Sequence, residues 1–127
     1  MKPVRLTKLE LQIMEALWSC GPSAAREVME QFPEKTRPAY TTVQTVLCRL
    51  ETKKVARRTR KIGNAHIFEA TISRASAHRG LVDEFLGLFG GRAQPVIVSL
   101  IETGKLTLED VHNAERMIQQ MDPKKGP

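Results

Sequence analysis

The chain has 127 residues, enough for one domain or one and a half, and 41% of them are hydrophobic, which suffices for an ordinary core. No apolar run approaches the ~20 residues that a membrane-spanning helix needs, and the N-terminal stretch 1–5 lacks the hydrophobic segment of a signal peptide. We therefore expect a cytoplasmic protein. Cys20 and Cys48 form no CxxC pattern, so no disulfide framework, metal site or cofactor is predicted.

The excess of positive over negative charge is confined to the first part of the chain. Residues 1–71 hold 13 Lys and Arg against 7 Asp and Glu, whereas residues 72–127 hold 7 of each, so the net charge of +6 belongs to the first segment. Neutralising phosphates requires charge that is concentrated on one surface. The sequence predicts a polyanion-binding domain over 1–71 and a second domain with another task over 72–127.

Two short helices are predicted first. Thr7 and Glu10 form a Thr-x-x-Glu capping box between two leucines, which fixes the start of the first helix. Trp18, near its end, is expected in the core. Ser23 is expected to cap a second helix over 24–31.

The third predicted helix, about 39–52, has two faces of different chemistry. Val43, Val46, Leu47 and Leu50 recur at i, i+3, i+4 and i+7, the spacing of a core-facing side. The opposite side carries short hydroxyl side chains and one Arg, where a solvated helix is usually rich in Glu and Lys. Three short helices joined by tight turns indicate a helix-turn-helix, whose third helix enters the major groove of DNA. The residues expected to bind DNA on and just after this helix are Tyr40, Thr41, Thr42, Gln44, Thr45, Arg49, Lys53 and Lys54.

A basic hairpin follows the third helix. Segments 55–61 and 65–70 have strand character, and the turn between them contains Gly63 and Asn64, which tolerate positive φ. The alternative is an amphipathic helix with a polar exterior followed by an edge strand whose charges block aggregation. Because the two features adjoin, DNA contact is the favoured interpretation, with the hairpin acting as a wing. The DNA-binding residues expected in the wing are Arg57, Arg58, Arg60 and Lys61.

The C-terminal part is predicted to form three helices with more apolar surface than it can bury by itself. They cover about 73–89, 95–104 and 106–121, and Thr107 with Asp110 repeats the capping box at the start of the third. The β-branched residues of the middle segment are compatible with a strand as well as a helix. We favour a helix, because Pro95 suits the first turn of a helix. We predict a homodimer, with folding back onto the first domain as the alternative. The expected dimerisation residues are Leu81, Phe85, Leu88, Phe89, Ile97, Leu100, Ile101, Val111 and Ile118.

The predicted fold class is therefore mainly α with a small β-hairpin: an N-terminal winged helix-turn-helix and a C-terminal three-helix dimerisation region. A winged helix that binds a protein instead of DNA would need an apolar or acidic surface on the third helix, and the sequence has neither. An enzyme is disfavoured, because the cysteines and histidines form no nucleophile-base or metal arrangement. For Cys48, a redox switch at the DNA face and a buried structural role both stay open.

Three motifs carry a family resemblance. They are Leu-Thr-x-x-Glu-x-x-Ile-Met-x-x-Leu-Trp at 6–18, Ala-Tyr-Thr-Thr-Val-Gln-Thr-Val-Leu-x-Arg-Leu at 39–50 and Leu-Phe-Gly-Gly at 88–91. Over residues 6 to about 121 the chain resembles the penicillinase and methicillin-resistance repressor family. The resemblance implies a bacterial winged-helix repressor that binds a palindromic operator, a double-stranded DNA site, as a homodimer. It implies threonines of the third helix at bases or phosphates and Arg57 at the flanking backbone.

The resemblance also shows two departures. In the well-known family members a membrane sensor leads to proteolysis at an Asn-Phe bond, and the matching pair here is Ser99-Leu100. A sensor or protease partner that relieves repression is therefore in doubt. The copper-responsive branch ends in Cys-x-Cys ligands, whereas this chain ends in 122–127 without cysteine, so copper sensing is not expected.

Overall fold

The structure is a computed structural model, and it describes residues 5–121. The predictions for the stretch 1–4 and for 122–127 lie outside the described residues. In chain order the elements are α1 (Lys8–Cys20), β1 (Ser23–Ala24), α2 (Ala25–Glu30), a 3-10 turn (Glu34–Thr36), α3 (Tyr40–Thr52), β2 (Ala56–Ile62), β3 (Ala65–Ala70), α4 (Arg74–Gly87), α5 (Gln94–Glu102) and α6 (Leu108–Met121). The predicted class is confirmed: the chain is mainly helical, with a small antiparallel sheet forming the wing of a winged helix.

The start of α1 follows from its capping box. The Glu10 N–H donates to Thr7 Oγ1 at 3.2 Å, and the Thr7 N–H donates to Glu10 Oε1 at 2.8 Å. Two backbone donors that a helix leaves unpaired are thereby satisfied. The helix ends at Gly21, whose φ of 78° suits a residue without Cβ and whose N–H donates to Leu17 O at 2.9 Å.

The core lies among α1, α2, α3 and the sheet. The four apolar positions of α3, Val43, Val46, Leu47 and Leu50, are all buried, which confirms the period read from the sequence. Each buried aliphatic side chain contributes about 1.5–3 kcal/mol relative to exposure. The residues that they meet in this core include Ile13, Met14, Leu17, Val28, Val55 and Phe68.

The prediction that Ser23 caps α2 is wrong. Ser23 is the first residue of β1, and its Oγ donates to Gly21 O at 2.8 Å. The cap position of α2 is Ala24, whose N–H donates to Glu27 Oε1 at 2.8 Å. β1 pairs antiparallel with β3, so the predicted hairpin is part of a three-stranded sheet in the order β1-β3-β2. A two-residue strand has no periodicity by which sequence could identify it.

The wing hairpin joins β2 and β3 in an antiparallel ladder from Ala56↔Ala70 to Ile62↔Ala65. A bulge between Arg58 and Arg60 shifts its register. Gly63 closes the turn with φ of 61°, the positive value that the sequence predicted for this position.

The chain forms two compact units that divide between Val82 and Asp83. We call them the N-terminal unit and the C-terminal unit. The division falls within α4, later than the predicted domain boundary after residue 71. Trp18, expected in the core, is half-buried at its edge and packs against it.

The three C-terminal segments are helices, including α5, for which a strand was the alternative. α4 ends at Gly87, slightly before the predicted end, and a turn follows it. At the start of α6 the Thr107 N–H donates to Asp110 Oδ2 at 3.0 Å and holds the pKa of Asp110 below its usual range. No residue of α5 or α6, both of which are fully described, is buried. None of the helices between residues 5 and 121 has the length and apolarity to cross a membrane.

Candidate nucleic-acid interface

The polar face of α3 is open to solvent. The buried face of α3 packs in the core and fixes the position of the helix. The polar side chains on the opposite face are therefore held on a rigid element. All six residues that the sequence predicted on this helix are exposed. They are Tyr40, Thr41, Thr42, Gln44, Thr45 and Arg49.

The threonine hydroxyls of α3 differ in what they offer a ligand. Thr45 Oγ1 donates to Thr41 O at 2.9 Å, and Thr52 Oγ1 donates to Cys48 O at 3.1 Å. Since a hydroxyl has one proton, Thr45 keeps only acceptor lone pairs and a methyl group for a partner. Thr42 Oγ1 makes no hydrogen bond within residues 5–121, so it can both donate and accept.

Two wing arginines are held by carboxylates of the chain itself. Arg57 Nε donates to Glu69 Oε2 at 2.7 Å across the hairpin. Arg58 Nε donates to Glu51 Oε1 at 3.1 Å, and its guanidinium carbon lies 5.5 Å from the centre of the Phe68 ring. Because Glu51 belongs to α3, Arg58 ties the wing to that helix.

The other two predicted wing cations are available to a ligand. Arg60 and Lys61 are exposed, and neither has an ion-pair partner among the residues that the structure describes. They lie on β2 next to the turn of the hairpin. An ammonium and a guanidinium in this position can bind phosphate without first releasing a carboxylate.

Lys53 has a buried partner that sequence reasoning missed. Its Nζ donates to Glu10 Oε1 at 2.7 Å and to Arg5 O at 2.8 Å. Burial raises the pKa of Glu10, but the hydrogen bonds from Lys53 and Thr7 and the charge of Lys53 lower it more, so the pKa lies below its ordinary value of 4.5. The pair joins the C-terminal end of α3 to the start of α1. Its only sequence signal is a glutamate on the apolar side of α1.

Lys54, the last DNA-binding residue predicted near α3, ends that helix with an unusual backbone. Its φ is 66°, the left-handed region that non-glycine residues seldom adopt. The Thr71 hydroxyl donates to Lys54 O at 2.9 Å and helps to fix this turn. The Lys54 side chain is exposed.

A small groove of about 120 Å³ separates α3 from the wing. Cys48 lines it and is exposed, so the buried structural role considered for this thiol is wrong. Arg58 Nη2 donates to Cys48 Sγ at 3.4 Å. Other lining residues include Tyr40, Gln44, Asn64 and His66. No group of three potential metal ligands occurs among residues 5–121.

Arg26 of α2 is a candidate DNA-binding residue that the sequence analysis did not name. Its guanidinium carbon lies 5.7 Å from the centre of the Tyr40 ring, and the side chain is exposed. A cation over an aromatic face is held in a preferred direction. The sequence contained one indication of this position, since Arg26 is the only basic residue of α2.

Comparison with known proteins identifies the family. The sequence model of the penicillinase repressor matches residues 6–120, almost the whole chain. The chain belongs to the penicillinase repressor family. The resemblance seen in the sequence is thus confirmed, and the chain is a DNA-binding transcriptional regulator of a repressor family, not of an enzyme family.

Three solved structures are similar to this penicillinase repressor family member. Bordetella bronchiseptica BpsR, whose DNA binding is regulated by 6-hydroxynicotinic acid, is 18% identical, with 92% of this chain and 80% of that chain covered and a TM-score of 0.48. A MarR family protein from Bacillus stearothermophilus is 14% identical, with 95% and 76% covered and a TM-score of 0.47. A mutant of Lactococcus lactis ZitR is 13% identical, with 99% and 80% covered and a TM-score of 0.45. No curated protein matches the sequence significantly.

Ser99-Leu100, the pair that the sequence resemblance sets against the family's Asn-Phe bond, lies inside α5. Ser99 and Leu100 belong to α5, and Ser99 O accepts hydrogen bonds from the Thr103 N–H at 3.0 Å and from Thr103 Oγ1 at 2.8 Å. The backbone around Ser99-Leu100 is therefore helical and hydrogen-bonded.

Proposed function

We propose that the protein represses transcription by binding a palindromic DNA operator as a homodimer, in the cytoplasm. The observation that carries the proposal is the exposed hydroxyl and amide face of α3 beside the unpaired cations of β2. A flat polar helix face fits the major groove, which is about 12 Å wide, and neighbouring cations fit the phosphates at its border.

The available groups divide into base contacts and backbone contacts. Gln44 offers an amide that pairs well with adenine, and Thr42 offers both a donor and an acceptor. Thr45, with its proton donated to Thr41 O, offers an acceptor and a methyl group. Arg60 and Lys61 would bind phosphates, together with Arg26 beside Tyr40.

The proposed dimer is supported by the apolar side chains of α4, α5 and α6 and of the turn after α4. Of the nine predicted dimerisation residues, Leu81 and Leu100 are half-buried and the other seven are exposed in the single chain. An apolar face repeated on two copies can close on itself about a two-fold axis. A protein with that symmetry matches a palindromic site whose half-sites lie about one helical turn apart.

The DNA part of the proposal is tested by salt dependence. Full-length protein is titrated with duplexes from its own promoter region in a gel shift over a range of salt concentrations. Each phosphate contact adds about 0.9 to the negative slope of log affinity against log salt. Arg60→Ala should flatten the slope by about that amount, and Arg57→Ala by less, because Glu69 already neutralises part of its charge.

Two further variants separate base reading from charge. Arg79→Ala removes one exposed charge outside the α3 face and the wing, and it should leave the slope unchanged. Thr42→Ala should alter base preference at one operator position by about 1–3 kcal/mol and leave the slope unchanged. Equal slopes for the wild type and Arg60→Ala would contradict the assignment of the wing to phosphate.

A further inference from the structure

Arg58 joins the wing to α3 across the groove between them. Its Nε donates to Glu51 Oε1 at 3.1 Å, and its backbone N–H donates to Glu51 Oε2 at 3.3 Å. Its Nη2 donates to Cys48 Sγ at 3.4 Å, and its guanidinium carbon lies 5.5 Å from the centre of the Phe68 ring. One planar group is thus fixed from α3 and from β3 at once, and its rigid fork of donors suits such a bridge better than an ammonium does.

Burial does not hold the outer part of the wing against α3. Ala56, at the start of β2, is buried, and every later residue of this strand is exposed. The ion pair between Arg57 and Glu69 lies within the hairpin, since both residues belong to the wing. A bulge between Arg58 and Arg60 bends β2 directly after the bridge. Arg58 therefore holds the strand at the point from which it continues to the exposed cations.

The angle of the wing decides which phosphates its cations can reach. Lys61 follows Arg58 by three residues on β2, which is about 10 Å at about 3.3 Å per residue. A swing of about 10° at Arg58 would move that position by about 1.7 Å, whereas the donor–acceptor distances of hydrogen bonds vary by only about 0.5 Å. Both α3 and β2 lie in the N-terminal unit, so the bridge relates the two elements of the proposed interface directly.

We propose that Arg58 is a positioning residue: it holds the wing at the angle where Arg60 and Lys61 bind phosphates while α3 reads bases, and it thereby raises the preference for the operator over other DNA. Phosphate contacts fix the register of a protein on the duplex, and base contacts in that register read the sequence. The inference rests on the proposed function. It also revises the role expected for Arg58, whose charge is engaged by Glu51.

Two substitutions distinguish a bridge from a direct phosphate contact. Glu51→Gln removes one negative charge from the proposed interface, so electrostatics alone would raise the affinity for every duplex, whereas loss of the bridge lowers the preference for the operator. Arg58→Lys keeps the charge that a phosphate needs but loses the planar fork. Glu69→Gln is the matched control for Glu51→Gln, because it removes the same charge from the ion pair within the hairpin.

The test measures the ratio of the affinities for two duplexes. Full-length protein selects a duplex from a random pool, and its affinities for this duplex and for a scrambled duplex of equal length are measured by fluorescence anisotropy at one salt concentration. We expect Glu51→Gln and Arg58→Lys each to lower the ratio at least about 5-fold, and Glu69→Gln to stay within about 2-fold of the wild type. The Glu51/Arg58 double variant should lose no more than either single variant, because both changes break one bridge.

A loss of folded protein does not imitate this result. It would lower both affinities by the same factor and leave their ratio unchanged. The side chains of Arg58 and Glu51 are 40% and 36% exposed, so their ion pair contributes little to stability and the variants should fold. Urea unfolding followed by Trp18 fluorescence checks that they do.

A wild-type ratio in Arg58→Lys would overturn the inference, and a salt slope lowered by about 0.9 in Arg58→Ala would then assign Arg58 a phosphate contact. Glu51→Gln binding both duplexes more tightly, as the Glu69→Gln control should, would overturn it as well. In either case the proposed function stands, because the wild type still prefers the selected duplex. A wild type that selects no duplex overturns both.

Discussion

The two compact units of this chain differ in how far they bury their apolar side chains. The N-terminal unit buries them among three helices and a sheet, and Ile13, Met14, Val43 and Leu47 are fully inaccessible to solvent. In the C-terminal unit neither α5 nor α6 has a buried residue, and Ile118 is 67% exposed. The first unit has a core of its own, whereas the second presents apolar surface that only another surface can cover.

This contrast explains how one short chain can combine two tasks. A DNA-reading surface has to be rigid in the single chain, because its donors and acceptors are useful only when held in place. In the proposed dimer, the apolar surface of α5 and α6 stays exposed in the single chain and is covered by the second copy. The predictions below test this division, beginning with the core of the first unit.

Leu47→Ala should cost the N-terminal unit about 2–5 kcal/mol of unfolding free energy, because it leaves a cavity in a closed core. Urea unfolding followed by Trp18 fluorescence measures this unit. The same deletion at Leu108, which is 71% exposed, should change that free energy by less than about 0.5 kcal/mol. If Leu47→Ala and Leu108→Ala lowered the free energy of unfolding by similar amounts, the proposed difference in packing between the two units would be wrong.

Ile118→Asp should weaken the proposed dimer by about 2 kcal/mol or more, roughly 30-fold in dissociation constant, because a carboxylate would enter an apolar contact. Sedimentation equilibrium measures the change. Gln120→Asp adds the same charge about 200° around α6 and should leave the dissociation constant within about 3-fold. If both variants sediment like the wild type, α6 is not part of the dimer surface.

Lys53→Met should destabilise the N-terminal unit by about 1–3 kcal/mol, because it strands the buried Glu10 carboxylate; partial exposure of Lys53 reduces the cost below that of a fully buried pair. Combining it with Glu10→Gln replaces both partners and should recover most of the loss. Urea unfolding of the two variants gives the comparison. A double variant less stable than Lys53→Met alone would show that the pair is not what links α1 to α3.

The smallest predicted effect is the loss of stability at acid pH that comes from Glu10. The folded pKa of Glu10 lies below its ordinary value of 4.5, so the unfolded chain binds this proton more readily. Its contribution to stability is therefore complete above about pH 5 and is lost as pH falls through the lower, folded pKa. The stability difference between the wild type and Glu10→Gln should be constant near neutrality and shrink in acid. A difference that grows on acidification would mean that the pKa is raised.

The sequence predicted those parts of the fold that depend on residues close to one another along the chain. The period of Val43, Val46, Leu47 and Leu50 and the capping boxes at Thr7 and Thr107 span one or two helical turns, and the structure has all of them. The open polar face of α3 follows directly from that period. Sequence thus indicated both the candidate interface and the wing beside it.

Contacts between distant residues could not be predicted. Glu10 meets Lys53 across 43 residues, and Trp18 meets Ile72 across 54, and no local pattern encodes either pairing. For the same reason Lys53 and Arg58 could be counted as cations, but their carboxylate partners could not be foreseen. The charge step at residue 71 reports composition, whereas the division into compact units within α4 reports packing, so the two mark different positions of the chain.

The helical setting of Ser99-Leu100 bears on how long this regulator would survive a protease. Proteases bind their substrates in extended form, so an enzyme that cuts here has to wait until the turn held by Thr103 unwinds. Pairing of two copies over α5 would make that unwinding rarer. The rate of degradation would then be limited by the rate at which the two copies dissociate. A molecule that stays in the dimer for longer would be degraded later.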